Sequence, residues 1–456
     1  MKSPGLRIRT GPSRWPRPAA RQFAILGGCL SLAAVLVLMH LRVYTTLSPI
    51  DELQHLDYVD SMTRFDIVRS GETVGPVAMR EEACRGVDSP GFATPSCDAP
   101  VLRPEQFQES GINTAATHPP VYYLTTGAVA EVVDAVPGVE SFLAAARSVG
   151  LLWLGFGLAL IFALARRLGA NVMSAAGACL LLAATPAVLH SSTVLTNDAP
   201  SLVVGSLLFL AGLGVLERRL HPGWLAAAAA LATSIKVTNI VAVGAVLFLL
   251  VLARERQSPR QGLDTDEGRA PGRWAPRWGA AAIVVVAGLL PPLTWQATAS
   301  AFAVEGSATP NMATQFNVPR IGAAELLGNV FAVVSPLQNA YIPAILQTPG
   351  ITLMIAVANF LIVSALAAAA WMPGERWSGR VAQATLLAML LAGPFFVLLV
   401  FVTSSSYFAI PARYGLSLLP AAAAVLAWVA SQRRIGGVTL VSLGVLSVTL
   451  VISALA

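Results

Sequence analysis

The chain has 456 residues, 55% of them hydrophobic and only 12% charged, with a mean hydropathy of +0.67. Soluble domains carry about 25% charged residues, so these figures exclude a soluble globular enzyme and call for an all-α polytopic membrane protein. The net charge of +6 does not imply a nucleic-acid partner: the basic residues sit in short loops between apolar runs, where the positive-inside rule accounts for them, and no recognition motif is present.

In chain order, residues 1–22 form a basic tail with Lys2, Arg7, Arg9, Arg14, Arg17 and Arg21 and no acid, expected on the cytoplasmic side. Phe23–Leu41 then crosses outward, and further spans are expected at Val149–Ala165, Val172–His190, Ala199–Leu216, Asn239–Ala253, Gly279–Gln296, Ile351–Trp371, Val381–Val402, Gly415–Ala430 and Gly437–Ala454. Arg166-Arg167, Arg218-Arg219, Arg433-Arg434 and the Arg-, Pro- and Gly-rich loop 254–278 mark the cytoplasmic face; the composition of that loop reads as disordered. This places three segments outside: 42–118, 298–350 and a short one at Ser404–Arg413. Two stretches stay open. Pro120–Val136 contains Glu131 and Asp134 and either crosses fully or lies partly in the interface, and Trp224–Ser234 either spans or pairs with the next helix as a broken hairpin. Hydropathy gives about 10–12 crossings, with the C-terminus outside.

The first outer segment carries the chemistry. It opens with Ser48-Pro49-Ile50-Asp51-Glu52-Leu53-Gln54-His55-Leu56, an Asp-Glu pair just beyond the first span. Ionisable groups beside lipid are costly to keep without a use. As a helix, Asp51, His55 and Tyr58 fall at i, i+4, i+7 and share one face, expected to turn toward a cavity at the membrane surface. The same segment holds Cys84 and Cys97, the only cysteines outside the spans; on an oxidising face such a pair forms a disulfide, the alternative being two free thiols. Cys29 and Cys179 lie in spans and read as core residues. The segment closes with Thr117-His118-Pro119-Pro120-Val121-Tyr122-Tyr123. The prolines suit a helix start and set His118 beside free backbone donors, a place that suits an anion. Tyr122 and Tyr123 fit either a site or an interfacial aromatic belt.

An Asp-Glu pair after the first span, a loop ending in His-Pro-Pro-x-Tyr-Tyr and many small-residue helices resemble the GT-C glycosyltransferases, within them the protein O-mannosyltransferases and the lipid A aminoarabinose transferases. The resemblance covers about Phe23 to Val251 and weakens beyond. It implies a polyprenyl-phosphate sugar as donor, an active site on the outer face of the plasma (inner) membrane, and a role in cell-envelope glycan or glycoconjugate assembly. Three later features fit it. Asp198, in Thr196-Asn197-Asp198-Ala199-Pro200, stands at the outer start of a helix, where it also suits capping. Lys236 is the only lysine besides Lys2, and an ammonium among apolar runs needs an anion such as a lipid phosphate, or else snorkels to the interface. Ala412-Arg413-Tyr414-Gly415 resembles the Gly/Ala-Arg-Tyr signature of those transferases, with an arginine able to fork onto phosphate.

The expected chemistry is transfer of a sugar to an acceptor hydroxyl. Asp51 is the expected base, with Glu52 orienting the acceptor or helping to hold a cation; Lys236, Arg413 and His118 are the expected cations for the departing phosphate, and His55, Tyr122, Asp198 and Tyr414 further substrate contacts. Arg147 is a weaker candidate. With no second, nucleophilic carboxylate to assign, inversion is expected. A divalent cation on the Asp-Glu pair stays open, and no metal ligand is assigned. The acceptor is a glycan, a glycolipid or a protein, and Gln315, Asn317, Gln338, Asn339 and Tyr341 of the second outer segment are expected to contribute to its choice. The rival readings are a transporter or flippase of lipid-linked sugars, which would show two similar halves that this chain lacks, and a non-catalytic assembly subunit.

Overall fold

The computed structural model describes residues 18–253, 275–306, 316, 318–338, 341–372 and 377–456. Most of the basic tail, nearly all of the loop 254–278, and Gln315, Asn317 and Asn339 lie outside the described residues. Within them the chain is helical, with two isolated bridges, Leu47 to Val87 and Thr73 to Ile112, and no strand.

The helices are α1 (Pro18–Val43), α2 (Glu52–Thr63), α3 (Pro76–Arg85), α4 (Val121–Asp134), α5 (Phe142–Ser148), α6 (Gly150–Arg167), α7 (Val172–Ala183), α8 (Pro186–Thr193), α9 (Ser201–Leu216), α10 (Pro222–Ile235), α11 (Ile240–Leu252), α12 (Ala275–Ala301), α13 (Ala323–Gly328), α14 (Pro349–Trp371), α15 (Ser378–Ser404), α16 (Leu419–Ser431) and α17 (Arg434–Leu455). Seven of the spans so formed are long and apolar enough to cross a membrane. An eighth is formed if α7 and α8 count as one, and α9, α10 and α11 are shorter apolar helices. The protein is a multi-pass membrane protein.

The structure departs from the expected spans in two places and bears on one stretch that the sequence left open. Val172–His190 is not straight: α7 and α8 meet at a bend of 65°, where Thr185-Pro186 ends one helix and Pro186 opens the next. The expected span at Val149–Ala165 starts earlier, because α5 and α6 run on as Phe142–Arg167. Pro120–Val136 forms a helix of only 14 residues, about 21 Å long at 1.5 Å per residue, short of the ~30 Å hydrocarbon core.

The bundle packs around α16, whose residues from Leu419 to Ala427 are buried almost without interruption against α6, α7, α14 and α17. Small residues set the close approaches that matter for the site. A Cβ on Gly205 would lie 2.1 Å from the Ser417 carbonyl oxygen, so only glycine lets α9 touch the turn that carries Arg413. Gly150 does the same for α6 against α8, where a Cβ would meet the Ser192 carbonyl oxygen at 1.6 Å.

Residues 42–118 are built as a cap on these helices. Cys84 of α3 is bonded to Cys97, as expected. Asp57 of α2 accepts hydrogen bonds from Gly75 N–H (2.6 Å) and the Asn113 amide (2.7 Å), which ties the start of α3 and the turn leading to His118 onto α2. The segment before α14 joins this cap through Tyr341, whose hydroxyl donates to Asp88 and lies 3.0 Å from the Tyr44 hydroxyl.

Candidate active site

The adjacent carboxylates of Asp51 and Glu52 point into different worlds. Asp51 precedes α2 with φ 56° and ψ 15°, in the left-handed region. That region is costly for most residues and tolerated best by Gly, Asn and Asp. An N-terminal Asp ordinarily spends its side chain on the helix's free N–H groups, but here the carboxylate makes no capping bond. It faces Arg413, Lys236 and Asp198 instead; burial pushes its pKa up, while the two cations pull it back. A carboxylate raised in this way is a better proton acceptor.

Glu52 is fully buried and accepts from Arg147 Nε at 2.8 Å, Arg147 Nη2 at 2.8 Å, Ser48 N–H at 2.7 Å and Leu195 N–H at 2.9 Å. Arg147 also donates to the carbonyls of Tyr44 (3.0 Å) and Thr46 (2.7 Å). The forked pair thus ties together the end of α1, the start of α2, α5 and the chain after α8. This corrects the expected role of Glu52: with both oxygens already carrying two donors each, it has no free capacity to orient an acceptor or hold a cation. Arg147, ranked low from the sequence, is its partner. Among the described residues there is no group of three or more His, Cys, Asp or Glu side chains placed to hold a metal ion.

The second ion pair stands opposite Asp51. Lys236 Nζ lies 2.6 Å from Asp198 Oδ1, both residues being almost fully buried. Lys236 sits in extended conformation in the break between α10 and the short turn Val237–Asn239. Asn239 staples that break by donating to the Ala232 carbonyl at 3.0 Å and facing Ser201 Oγ at 3.4 Å. Tyr414 lies under the ammonium, its ring centroid 5.8 Å from Nζ, within reach of a cation–π attraction. Arg413, in the turn Ala412–Leu418, brings Nε to 4.0 Å from Asp198 Oδ2, and that Nε has no hydrogen-bond partner. A buried donor without an acceptor is a place for a ligand oxygen.

The histidines behave differently from expectation. His118 is not a cation: desolvation, with Lys236 and Arg413 nearby, lowers its pKa to about 3, so at neutral pH it offers only a neutral N–H. His55 is nearly buried, with Nδ1 2.8 Å from the Tyr123 hydroxyl and its ring stacked on His118 at 6.0 Å; burial drives its pKa well below the usual range. Tyr58 stacks on Tyr123 at 3.9 Å. The face shared by His55 and Tyr58 therefore packs on α4 rather than lining a cavity, and His55 positions His118 from behind. Tyr122 is buried edge-on to Tyr123, their centroids 5.2 Å apart. Gln338 is exposed, while Tyr341 belongs to the cap contact with Asp88 and Tyr44.

Three residues near Asp51 were not singled out from the sequence. Ser48 and His190 line a crevice behind Asp198 and Arg413 together with Ile50, Val194, Thr196 and Leu416. His190 showed one usable signal, a histidine inside an apolar run. Glu109, at φ 53°, has its pKa raised by burial and by the charge of Asp51; nothing in its local sequence marks it.

The bend between α7 and α8, the break at Lys236 and the Lys236–Asp198 pair fall within the segment that carries a known likeness. Residues 117–261 match the dolichyl-phosphate-mannose-protein mannosyltransferase family. The resemblance to GT-C glycosyltransferases is borne out over that stretch, which contains His118, Tyr122, Asp198 and Lys236 but neither Asp51 nor Arg413. No curated protein matches the chain. Among solved structures, the chain is similar to ArnT from Cupriavidus metallidurans bound to undecaprenyl phosphate, with a TM-score of 0.47 and 16% identity over 92% of this chain. It spans 61% of the length of that protein.

Proposed function

We propose that the protein is a membrane glycosyltransferase that moves a sugar from a polyprenyl-phosphate donor to an acceptor hydroxyl on the outer face of the membrane, with inversion. The observation that carries this reading is the arrangement around Asp198: the Asp51 carboxylate, which makes no capping bond, on one side, and on the other Lys236, paired with Asp198, beside Arg413, whose Nε has no partner. A second feature supports a lipid-linked donor. An apolar groove of about 360 Å³ begins at Ile240, four residues after Lys236, and runs between α11, α12 and α15. Its walls include Val285, Leu289, Leu391 and Phe395, which are exposed on the outside of the bundle and suit an isoprenoid tail arriving from the bilayer.

In this reading Asp51 takes the proton of the acceptor hydroxyl as its oxygen attacks the anomeric carbon. The bond from that carbon to the phosphate oxygen breaks, and the lipid monophosphate leaves with the electron pair. Lys236 and the open Nε of Arg413 stabilise the charge that grows on it, in a setting dry enough for such contacts to count. Asp198 holds the two cations in place, and neutral His118 adds an N–H donor. Attack from the Asp51 side, opposite the leaving phosphate, inverts the anomeric centre. The acceptor is a glycan, a glycolipid or a protein, placed beneath the outer cap.

The test is a transfer assay in membranes or detergent with labelled polyprenyl-phosphate sugars, comparing wild type with Asp51→Asn and Lys236→Ala. Transfer is expected in wild type and lost in both variants. Sugar transfer that persists in Asp51→Asn overturns the assignment of the base, and no transfer from any donor overturns the enzymatic reading.

A further inference from the structure

Behind the Asp198–Arg413 edge of the site lies a crevice of about 20 Å³, room for a single water-sized group. Its lining is mixed. Ser48, His190, Ser191, Thr196, Asp198 and Arg413 contribute polar lining, and Ile50, Val194 and Leu416 apolar lining. Ser48 is fully buried and His190 is 3% exposed. Ser48 Oγ and His190 Nε2 are 3.4 Å apart, a loose contact, and His190 Nδ1 has no partner at all. The imidazole cannot swing away to find one. It is held between Tyr44 edge-on at 5.1 Å, His40 at 5.5 Å and Tyr341 at 5.3 Å, and the Gly150 contact with Ser192 fixes α8 against α6. A rigid, buried, half-satisfied polar pair is expensive unless something completes it.

The crevice shares Asp198 and Arg413 with the cationic cluster, so a sugar whose phosphate rests there has its ring at the crevice mouth. We infer that Ser48 and His190 form the subsite for the exocyclic hydroxymethyl of the donor sugar, so that the enzyme takes a hexosyl rather than a pentosyl polyprenyl phosphate. The hydroxyl occupies the crevice beside Ser48 Oγ and the His190 ring, whose Nδ1 lacks a partner, and the methylene stays at its mouth. A pentopyranose lacks this group and leaves His190 Nδ1 without a partner, which is the kind of mismatch on which enzymes discriminate strongly. The inference rests on the transferase reading and goes beyond it by naming the feature of the donor that is read.

The experiment measures kcat/KM of the full-length protein with a polyprenyl-phosphate hexose and with the matching pentose, which differs only in lacking the hydroxymethyl. Wild type, His190→Phe and Ser48→Ala are compared, the first variant keeping the ring in its aromatic packing. Wild type is expected to favour the hexose, and each variant to lower the hexose-to-pentose ratio about ten-fold, the scale of one hydrogen bond lost at a desolvated site. A ratio unchanged in both variants, or a wild-type preference for the pentose, overturns the subsite while leaving the transferase reading intact. Absence of transfer from either sugar by wild type overturns both. Thermal unfolding of each variant is recorded alongside; a ratio that falls with the unfolding midpoint unchanged assigns the effect to the subsite.

Discussion

Two buried ion pairs stand side by side in this protein, and they differ in one respect. The Glu52–Arg147 pair is closed: each carboxylate oxygen has two donors, and the guanidinium reaches two further carbonyls. The Lys236–Asp198 pair is open: Arg413 stops 4.0 Å short of it with its Nε unpartnered, and Asp51 faces it with a carboxylate that makes no capping bond. A closed network defines how segments meet; an open one leaves polar groups waiting for a substrate. Charge and burial alone do not tell them apart, whereas hydrogen-bond saturation does.

The comparison yields tests of graded size. Asp51→Asn is expected to lower sugar transfer by about 10²–10⁴-fold, the range for a lost general base, with thermal unfolding in detergent unchanged. Arg147→Met is expected to do the opposite. Removing one partner of a buried pair costs about 3–5 kcal/mol, so the variant should unfold at clearly lower temperature or fail to accumulate. An Arg147→Met protein with wild-type stability breaks the distinction. Arg413→Lys keeps the charge but loses the fork; the expected outcome is a rise in donor KM of about ten-fold, about 1.4 kcal/mol, without change in the unfolding midpoint.

The smallest effect concerns the cap. Burial pushes the Asp57 pKa up to about 6, against the Gly75 N–H and the Asn113 amide, which pull it down. A carboxyl with a raised folded pKa holds its proton more tightly in the folded state. Its contribution to stability is therefore full below about pH 4, near the unfolded pKa, and fades as pH rises through about 6. Unfolding midpoints of wild type and Asp57→Asn, measured between about pH 4 and 7, should differ in slope over that window, with the variant flatter. Equal slopes remove Asp57 as the titrating group.

Much of the architecture is legible in the sequence because apolar length is a strong signal: the expected spans correspond to helices, and Cys84 and Cys97 form the bond expected of them. The 65° bend between α7 and α8 was hidden inside one continuous apolar run, although Pro186 marks the place. The candidate site was legible as a set of residues and not as a division of labour. Glu52 finds Arg147 across 95 positions, a pairing no local pattern announces. His118 reads as a cation by residue type, and only its desolvated setting makes it neutral. His190 looked like the end of a span until the fold brought it behind Ser48.

The left-handed backbone at Asp51 has a consequence for how this position can be altered. Two independent requirements meet in one residue: a conformation that Gly, Asn and Asp accept most readily, and a carboxylate for chemistry. Asparagine and glycine meet only the first, and glutamate only the second. Aspartate satisfies both, so the residue is specified twice over, and the asparagine variant isolates the charge where an alanine variant would mix lost charge with a distorted helix start.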